Sequence, residues 1–160
     1  VLFRSLASVS SMSAHPDKSF IHANALVVGE KGLLLRGPSG SGKSALTLAL
    51  IAQARQTNNY ACLVADDRVQ IEAINGRLIA RPHEKIAGLI EARGLGLITL
   101  PHLEACVLHA LIDLAPPDQP PKRLPEESDK TAQLMGIELP RLVIAANDWM
   151  APTLINYFIQ

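Results

Sequence analysis

A glycine-rich segment at residues 37–44 carries the clearest chemical signal in the sequence. It reads Gly-Pro-Ser-Gly-Ser-Gly-Lys-Ser and fits the pattern GxxxxGK[ST] at every fixed position. In such a loop the glycines let backbone N–H groups turn toward phosphate oxygens, the lysine reaches the β- and γ-phosphates, and the last hydroxyl holds Mg²⁺. A chance glycine-rich turn is the alternative, but an apolar run precedes this loop and a helical pattern follows it. The predicted phosphate-binding residues are Gly37, Pro38, Ser39, Gly40, Ser41, Gly42, Lys43 and Ser44.

Two adjacent acids follow the next apolar run. Asp66 and Asp67 come directly after residues 61–65, which are typical of a buried strand. In phosphoryl-transfer sites one acid supports Mg²⁺, and a second positions or deprotonates the attacking group. We assign Asp66 to the metal and Asp67 to the base role, although the residues alone also allow the reverse order. A pair of surface acids at a strand end is the alternative, which the phosphate loop upstream disfavours.

Two weaker signals accompany the acids. Glu91 and Arg93 stand beside Gly94 and Gly96, and their spacing would place both side chains on one face of an extended strand. Taken alone, this cluster is typical of a bulged strand with a solvent-exposed ion pair. His22 lies on a predicted strand before the phosphate loop, where a histidine is commonly a hydrogen-bonded structural residue.

The surrounding pattern predicts the elements that must position these residues. One strand–loop–helix–strand unit lies among several further strands, which indicates an α/β fold with a mixed sheet. The terminal helix is expected to pack through Trp149, Tyr157 and Phe158, with an interface formed by these residues as the alternative. We expect a disordered N-terminal extension over residues 1–19 and one domain over residues 20–160. The predicted elements are strands at 20–28, 32–36, 61–65, 107–114 and 142–146, a hairpin at 69–80 around Asn75 and Gly76, an interrupted apolar segment at 89–100, a proline-rich connection at 116–125, a short hairpin around Gly136, and helices at 44–55 and 151–159.

Composition excludes several classes of protein. The 160 residues are 48% hydrophobic, and 15 Lys plus Arg balance 15 Asp plus Glu. Such a chain can bury a core, so it does not resemble a disordered protein, and zero net charge argues against a broad nucleic-acid-binding surface. No apolar run approaches the roughly 18 residues that span a bilayer. Cys62 and Cys106 lack metal-site spacing, which favours free thiols and a cytoplasmic location.

Taken together, the motifs resemble the catalytic domain of the HPr kinase/phosphorylase family. The matching segments are Ile-His-Ala at 21–23, the loop at 37–44, Val-Ala-Asp-Asp-Arg-Val at 64–69 and Glu-Ala-Arg-Gly-Leu-Gly at 91–96. The resemblance covers about residues 20–146. The chain is similar to the short forms of the family known from alphaproteobacteria. It implies a P-loop-containing mixed β-sheet with flanking helices, similar in architecture to PEP carboxykinase.

The resemblance also implies an activity and a set of site residues. The activity would be ATP-dependent phosphorylation of a serine of the phosphocarrier protein HPr, with its phosphorolytic reversal. Matched by position, His22, Lys43 and Asp67 correspond to catalytic residues, with Asp66 beside them, and Ser44 and Glu91 correspond to magnesium ligands. Longer members form hexamers, so a homo-oligomer is a further expectation.

Two departures from the family pattern leave alternatives open. Longer members carry a basic loop with a catalytic arginine near residues 139–141, whereas this chain runs directly into an apolar strand, and Arg141 is not an equivalent. The segment tied to dephosphorylation is also not found, so we expect kinase activity rather than phosphorolysis. A P-loop kinase of a small molecule and a non-catalytic nucleotide-sensing regulator are the competing interpretations.

Overall fold

The computed structural model describes residues 18–160, which form ten strands and two α-helices. The predicted extension at 1–19 therefore lies mostly outside the described residues, while Lys18 and Ser19 already belong to the first strand. The elements are β1 (Lys18–Val28), β2 (Lys31–Arg36), α1 (Lys43–Gln56), β3 (Ala61–Ala65), β4 (Arg68–Ile74), β5 (Arg77–Pro82), β6 (Leu89–Ala92), β7 (Gly96–Thr99), β8 (Cys106–Ala115), β9 (Thr131–Leu134), β10 (Ile137–Ala145) and α2 (Ala151–Phe158).

The central sheet is mixed, as the sequence predicts. Its strands lie in the order β3, β1, β2, β8, β10, with β1 antiparallel to both neighbours and β8 parallel to β2 and β10. The phosphate loop joins β2 to α1, so it begins at the middle of this sheet. The two acids follow β3, two strands away from β2.

The long strand β1 belongs to two sheets. Its residues 23–28 pair with β2 in the central sheet, and residues 18–22 pair with β4. From β4 the pairing continues through β5 to the start of β8, so a second, smaller sheet joins the central one at both long strands. At the close approach between β2 and β8, a Cβ on Gly32 would stand 1.9 Å from the carbonyl oxygen of Val107. Only glycine fits there.

Two hydrophobic cores hold these layers together. The first lies between the central sheet and the helices, where α1 contributes Leu46 and Leu50 and α2 contributes Ile155. The second lies between the two sheets and includes Leu34 and Ile71. Both helices pack on one face of the central sheet, so the start of α1 is fixed against the strand ends.

The structure corrects parts of the predicted element map. The hairpin at Asn75 and Gly76 is confirmed, but the predicted strand at 142–146 is only the end of β10, which starts at Ile137. The expected packing of the terminal helix through Trp149 and Tyr157 is wrong, because these side chains are 85% and 73% exposed. Phe158 does pack against the core. Among residues 18–160, no helix has the length and apolarity that a bilayer crossing requires.

Candidate active site

The phosphate loop turns tightly into the start of α1, and within it the N–H of Ser41 donates to the carbonyl oxygen of Pro38 at 3.1 Å. Gly40 and Gly42 have φ values of 79° and 91°, in the left-handed region that glycine adopts without strain. No side chain caps the N-terminus of α1, and its first turn contains no acid. The first N–H groups of a helix have no partner within the helix and attract anions. The loop therefore presents a site for phosphate oxygens, and the buried Ser41 hydroxyl beside it has no hydrogen-bond partner among the described residues.

Lys43 lies across the mouth of this loop. Its Nζ donates to the carbonyl oxygens of Gly37 and Pro38 at 2.9 and 3.1 Å and stands 3.2 Å from Nε2 of His22. These three contacts use the three protons of the ammonium group. Burial lowers the pKa of Lys43 below its ordinary value, and the charges of Asp67 and Asp66 partly offset that effect. A phosphate oxygen could replace the loop carbonyls as the acceptor.

Asp66 is buried and held on both oxygens. Its Oδ1 accepts from the Ser44 hydroxyl at 2.6 Å and from Nδ2 of Asn24 at 2.7 Å, while its Oδ2 accepts the N–H of Glu91 at 3.1 Å. The carboxylate is thus fixed against the last residue of the phosphate loop. The structure brings Ser44 and Asp66 together, as the sequence analysis expected for a metal site.

Asp67 faces solvent from a break between two strands. Both β3 and β4 pair with β1, one after the other, and the two acids lie where one pairing ends and the other begins. Asp67 has a φ of 64°, a left-handed conformation that aspartate adopts more readily than most residues. Its side chain is 68% exposed, and its Oδ1 lies 2.9 Å from Nδ1 of His22.

His22 connects the exposed acid to the loop lysine. In the neutral tautomer with a proton on Nδ1, the ring donates to Asp67 and accepts from Lys43 through Nε2. The three residues that the resemblance marked as catalytic therefore form one continuous chain of contacts. His22 lies on β1, and its placement beside Asp67 follows from the pairing of His22 with Arg68.

The β6–β7 hairpin closes one side of the site. Fully buried Ile90 anchors it in the first core, and the side chains of Glu91 and Arg93 line a cavity of about 530 Å³. The same cavity is lined by Lys43 and Asp67, so the weak signal at 91–96 belongs to the site. The turn of the hairpin falls between the two strands, and for this reason Glu91 lies on β6 while Arg93 lies in the turn rather than on one extended strand.

The oxygen donors beside the loop fit a Mg²⁺ that is shared with a phosphate. Ser44 and Asp66 offer adjacent oxygens, and Glu91 is tied to Asp66 through its backbone N–H. Over residues 18–160, no group of three or more His, Cys, Asp or Glu side chains is arranged to enclose a metal ion. Mg²⁺ is commonly bound by one or two carboxylates plus substrate phosphates and water, and the chain's oxygens suit that arrangement.

Sequence reasoning missed Asn24, which contacts both acids. Its side chain is fully buried and also accepts the N–H of Asp67 at 2.9 Å. The available signal was a second polar residue two positions after His22, just before the apolar end of the strand. Arg141 lies elsewhere: it shares Asp113 with Arg36, beside a second cavity of about 720 Å³. The structure thus agrees that Arg141 does not take the place of an arginine in the site.

A phosphate loop at the middle of a mixed sheet, with its lysine and serine facing paired carboxylates, places the chain in the class of P-loop proteins. Within that class the chain belongs to the family described as HPr Serine kinase C-terminal domain, whose model matches residues 14–149.

Named relatives agree with this assignment. The chain is 43% identical over 72 residues to the HPr kinase/phosphorylase of Clostridium tetani, which is 45% of this chain and 22% of that protein. It is 36% identical over 124 residues to the protein of the same name from Geobacillus thermodenitrificans, 71% of this chain and 38% of the relative. The matched regions thus span less than half the length of these relatives.

A solved structure shows the same fold. The Hpr(Ser) kinase/phosphatase from Coxiella burnetii superposes with a TM-score of 0.73 at 27% sequence identity. The superposition covers 88% of this chain and 93% of the other. The predicted α/β class with a mixed sheet is therefore confirmed.

Proposed function

We propose that this chain catalyses ATP-dependent phosphorylation of a serine in the phosphocarrier protein HPr. The observation that carries the proposal is the chain of contacts from Asp67 through His22 to Lys43, in a cavity lined by the phosphate loop. This arrangement sets a base beside the group that binds the transferred phosphate. The relatives named HPr kinase/phosphorylase support HPr as the acceptor.

Asp67 is suited to accept the proton of an incoming serine hydroxyl. Its exposed carboxylate can reach a hydroxyl carried on another protein, whereas buried Asp66 cannot. As the hydroxyl oxygen attacks the γ-phosphorus, its proton passes to Asp67 and the bond to the β-phosphate oxygen breaks. His22 keeps the carboxylate oriented through its Nδ1–H.

Lys43 and the loop amides stabilise the charge that the transferred group carries. Catalysis of phosphoryl transfer is mainly positioning and electrostatic stabilisation. A bound triphosphate would draw Nζ of Lys43 away from the carbonyl oxygens of Gly37 and Pro38. Arg93 lines the same cavity and is a second cation near the phosphates. The lysine is buried, so its charge acts in surroundings where water screens little.

Ser44, Asp66 and Glu91 are the residues that would hold Mg²⁺. Bound there, the ion would neutralise charge on the phosphate oxygens. The hydrogen bonds from Asn24 and from the Glu91 N–H hold the carboxylate of Asp66 in place beside the phosphate loop. Reversal would use the same groups, with Asp67 returning its proton to the serine oxygen while inorganic phosphate takes up the phosphoryl group as pyrophosphate.

The setting of the reaction is part of the same proposal. Cys62 and Cys106 are free thiols, which suits the cytoplasm, where thiols stay reduced. We further propose a homo-oligomer, since Trp149 and Tyr157 expose large aromatic side chains. Light scattering should then give a solution mass that is a multiple of the 17.2 kDa chain, and a monomer would contradict this part.

Incubation with ATP, Mg²⁺ and purified HPr tests the function. Intact-mass measurement should show HPr gaining one phosphoryl group, and peptide mapping should place it on a serine. An HPr variant with that serine replaced by alanine is the matched acceptor control. If the phosphoryl group of ATP is transferred to members of a metabolite panel and never to HPr, the chain is a small-molecule kinase. ATP binding without any transfer would instead identify a nucleotide-sensing module.

A further inference from the structure

Asn24 is a buried polar side chain that contacts both acids, and the mechanism above gives it no catalytic step. It lies on β1 two residues after His22, so both side chains project from the same face of the strand. Its Nδ2 donates to Oδ1 of Asp66 at 2.7 Å, and its Oδ1 accepts the backbone N–H of Asp67 at 2.9 Å. One amide thus contacts the side chain of one acid and the backbone of the other.

Both protons of the Asn24 amide and its oxygen have hydrogen-bond partners. Asparagine offers two protons on Nδ2 and an acceptor on Oδ1. The second proton is directed at Oγ1 of Thr47, 3.1 Å away, and Oγ1 of Thr47 in turn donates to the carbonyl oxygen of Lys43. Because Asn24 is fully buried, water cannot replace any of these partners. The amide is therefore held in one orientation, and it links β1 to the first turn of α1.

We propose that Asn24 is a positioning residue that gives the two acids their separate roles. It holds Oδ1 of Asp66 against Ser44, on the loop side. Through the N–H of Asp67 it fixes the left-handed backbone that carries the neighbouring carboxylate outward to His22. This inference rests on the proposed kinase function, and it adds the residue that distinguishes a metal-side acid from a base.

Three variants separate this role from a general effect on folding. Asn24→Ala removes both contacts. Asn24→Asp keeps the acceptor for the Asp67 N–H but replaces the donor to Asp66 with an oxygen. Thr47→Val is the matched control, because it removes a buried hydrogen bond of Asn24 and leaves both contacts to the acids in place.

Steady-state kinetics with HPr should show a split between kcat and KM. A displacement of about 1 Å in a catalytic group can cost about 100-fold, so kcat of Asn24→Ala should fall by about that factor while KM for ATP stays within about threefold. Asn24→Asp should lose a similar factor, and Thr47→Val should stay within about threefold of wild type. If Asn24→Ala keeps wild-type kcat, or if Thr47→Val falls equally far, the inference is overturned.

Amide hydrogen exchange by NMR supplies a readout that does not depend on activity. The Asp67 N–H should be protected in wild type and in Asn24→Asp, and it should exchange faster in Asn24→Ala. Unchanged exchange in Asn24→Ala would overturn the inference even if the kinase activity is demonstrated. If wild type transfers no phosphate to HPr, the proposed function fails, and the exchange of the Asp67 amide still decides whether Asn24 holds that backbone.

Discussion

Separate replacement of the two adjacent acids by asparagine should distinguish their roles: Asp66→Asn should destabilise the fold, whereas Asp67→Asn should slow transfer and leave the fold stable. Asp66 is 8% exposed and accepts three hydrogen bonds, from Asn24, Ser44 and the N–H of Glu91. The Asp67 side chain is 68% exposed, and its side-chain partner is the half-exposed His22. Neighbours in sequence therefore occupy very different surroundings.

The magnitudes follow from those contacts. An asparagine at position 66 would place an NH₂ group opposite a hydrogen-bond donor. The carboxylate now accepts a hydrogen bond from that donor, and the NH₂ group could not. Hydrogen bonds to charged groups contribute about 1.5–3 kcal/mol, so Asp66→Asn should destabilise the fold by about 2–3 kcal/mol. In a chain of this size that lowers Tm by about 5–10 °C. Asp67→Asn changes one exposed side-chain contact with His22, worth about 0–1 kcal/mol, and should shift Tm by less than about 4 °C.

The rate of phosphoryl transfer should fall in Asp67→Asn even though its fold stays stable. Loss of a general base costs about 10²–10⁴-fold in rate, so Asp67→Asn should lose kcat by that factor, while its Kd for ATP stays within about tenfold. Calorimetric melting, isothermal titration with ATP and transfer to HPr measure the three quantities. Asp118→Asn, an exposed acid in the proline-rich connection, is the matched control and should change none of them.

Two results would refute this reasoning. If Asp67→Asn keeps kcat within about tenfold of wild type, Asp67 is not the base. If Asp66→Asn melts at the wild-type temperature, the buried hydrogen bonds around Asp66 do not stabilise the fold.

Three further predictions concern Lys43, Arg93 and Asp113. Lys43→Ala should weaken ATP binding by titration calorimetry and abolish transfer, since it removes the ammonium at the loop mouth. Arg93→Ala should lower kcat/KM about tenfold in the HPr assay without lowering Tm, because Arg93 is exposed at the cavity. Burial alone would raise the pKa of Asp113, but hydrogen bonds and charge from Arg36 and Arg141 outweigh it and leave that pKa below its ordinary value. Its stabilising effect is therefore complete above about pH 4 and lost as the pH falls further, so the difference in urea stability between wild type and Asp113→Asn should shrink at low pH.

Each of the three has a contradicting result. Unchanged ATP affinity in Lys43→Ala would show that the phosphate loop is not part of the nucleotide site. Wild-type kcat/KM in Arg93→Ala would show that the Arg93 guanidinium takes no part in transfer. A stability difference for Asp113→Asn that is constant from pH 6 to about pH 3 would show that the ionised carboxylate does not hold the two arginines.

Local signals account for what the sequence predicted well. The phosphate loop, the acids after β3 and the turn at Asn75 and Gly76 are each specified by a few neighbouring residues with fixed chemistry. The contact between Ser44 and Asp66 follows once a loop–helix–strand unit is recognised, because the strand end and the helix start meet at the same edge of the sheet.

Non-local contacts account for what the sequence could not supply. The role of Asn24 depends on the register between β1 and the break after β3, and a polar residue in a strand does not by itself report its partners. The second sheet depends on pairing of β5 with β8, which lies far along the chain. The aromatic residues Trp149 and Tyr157 do not by themselves report which face of α2 is buried, and the inward face is provided by Ala151 and Ile155.

A crystal structure with a non-hydrolysable ATP analogue and Mg²⁺ tests the central claim most directly. We expect the triphosphate to bind backbone N–H groups of the phosphate loop at the start of α1, with Lys43 on the γ-phosphate and the carboxylate of Asp67 facing the side from which a serine would attack. A nucleotide bound in the other large cavity, or a γ-phosphate directed away from both Asp66 and Asp67, would contradict it.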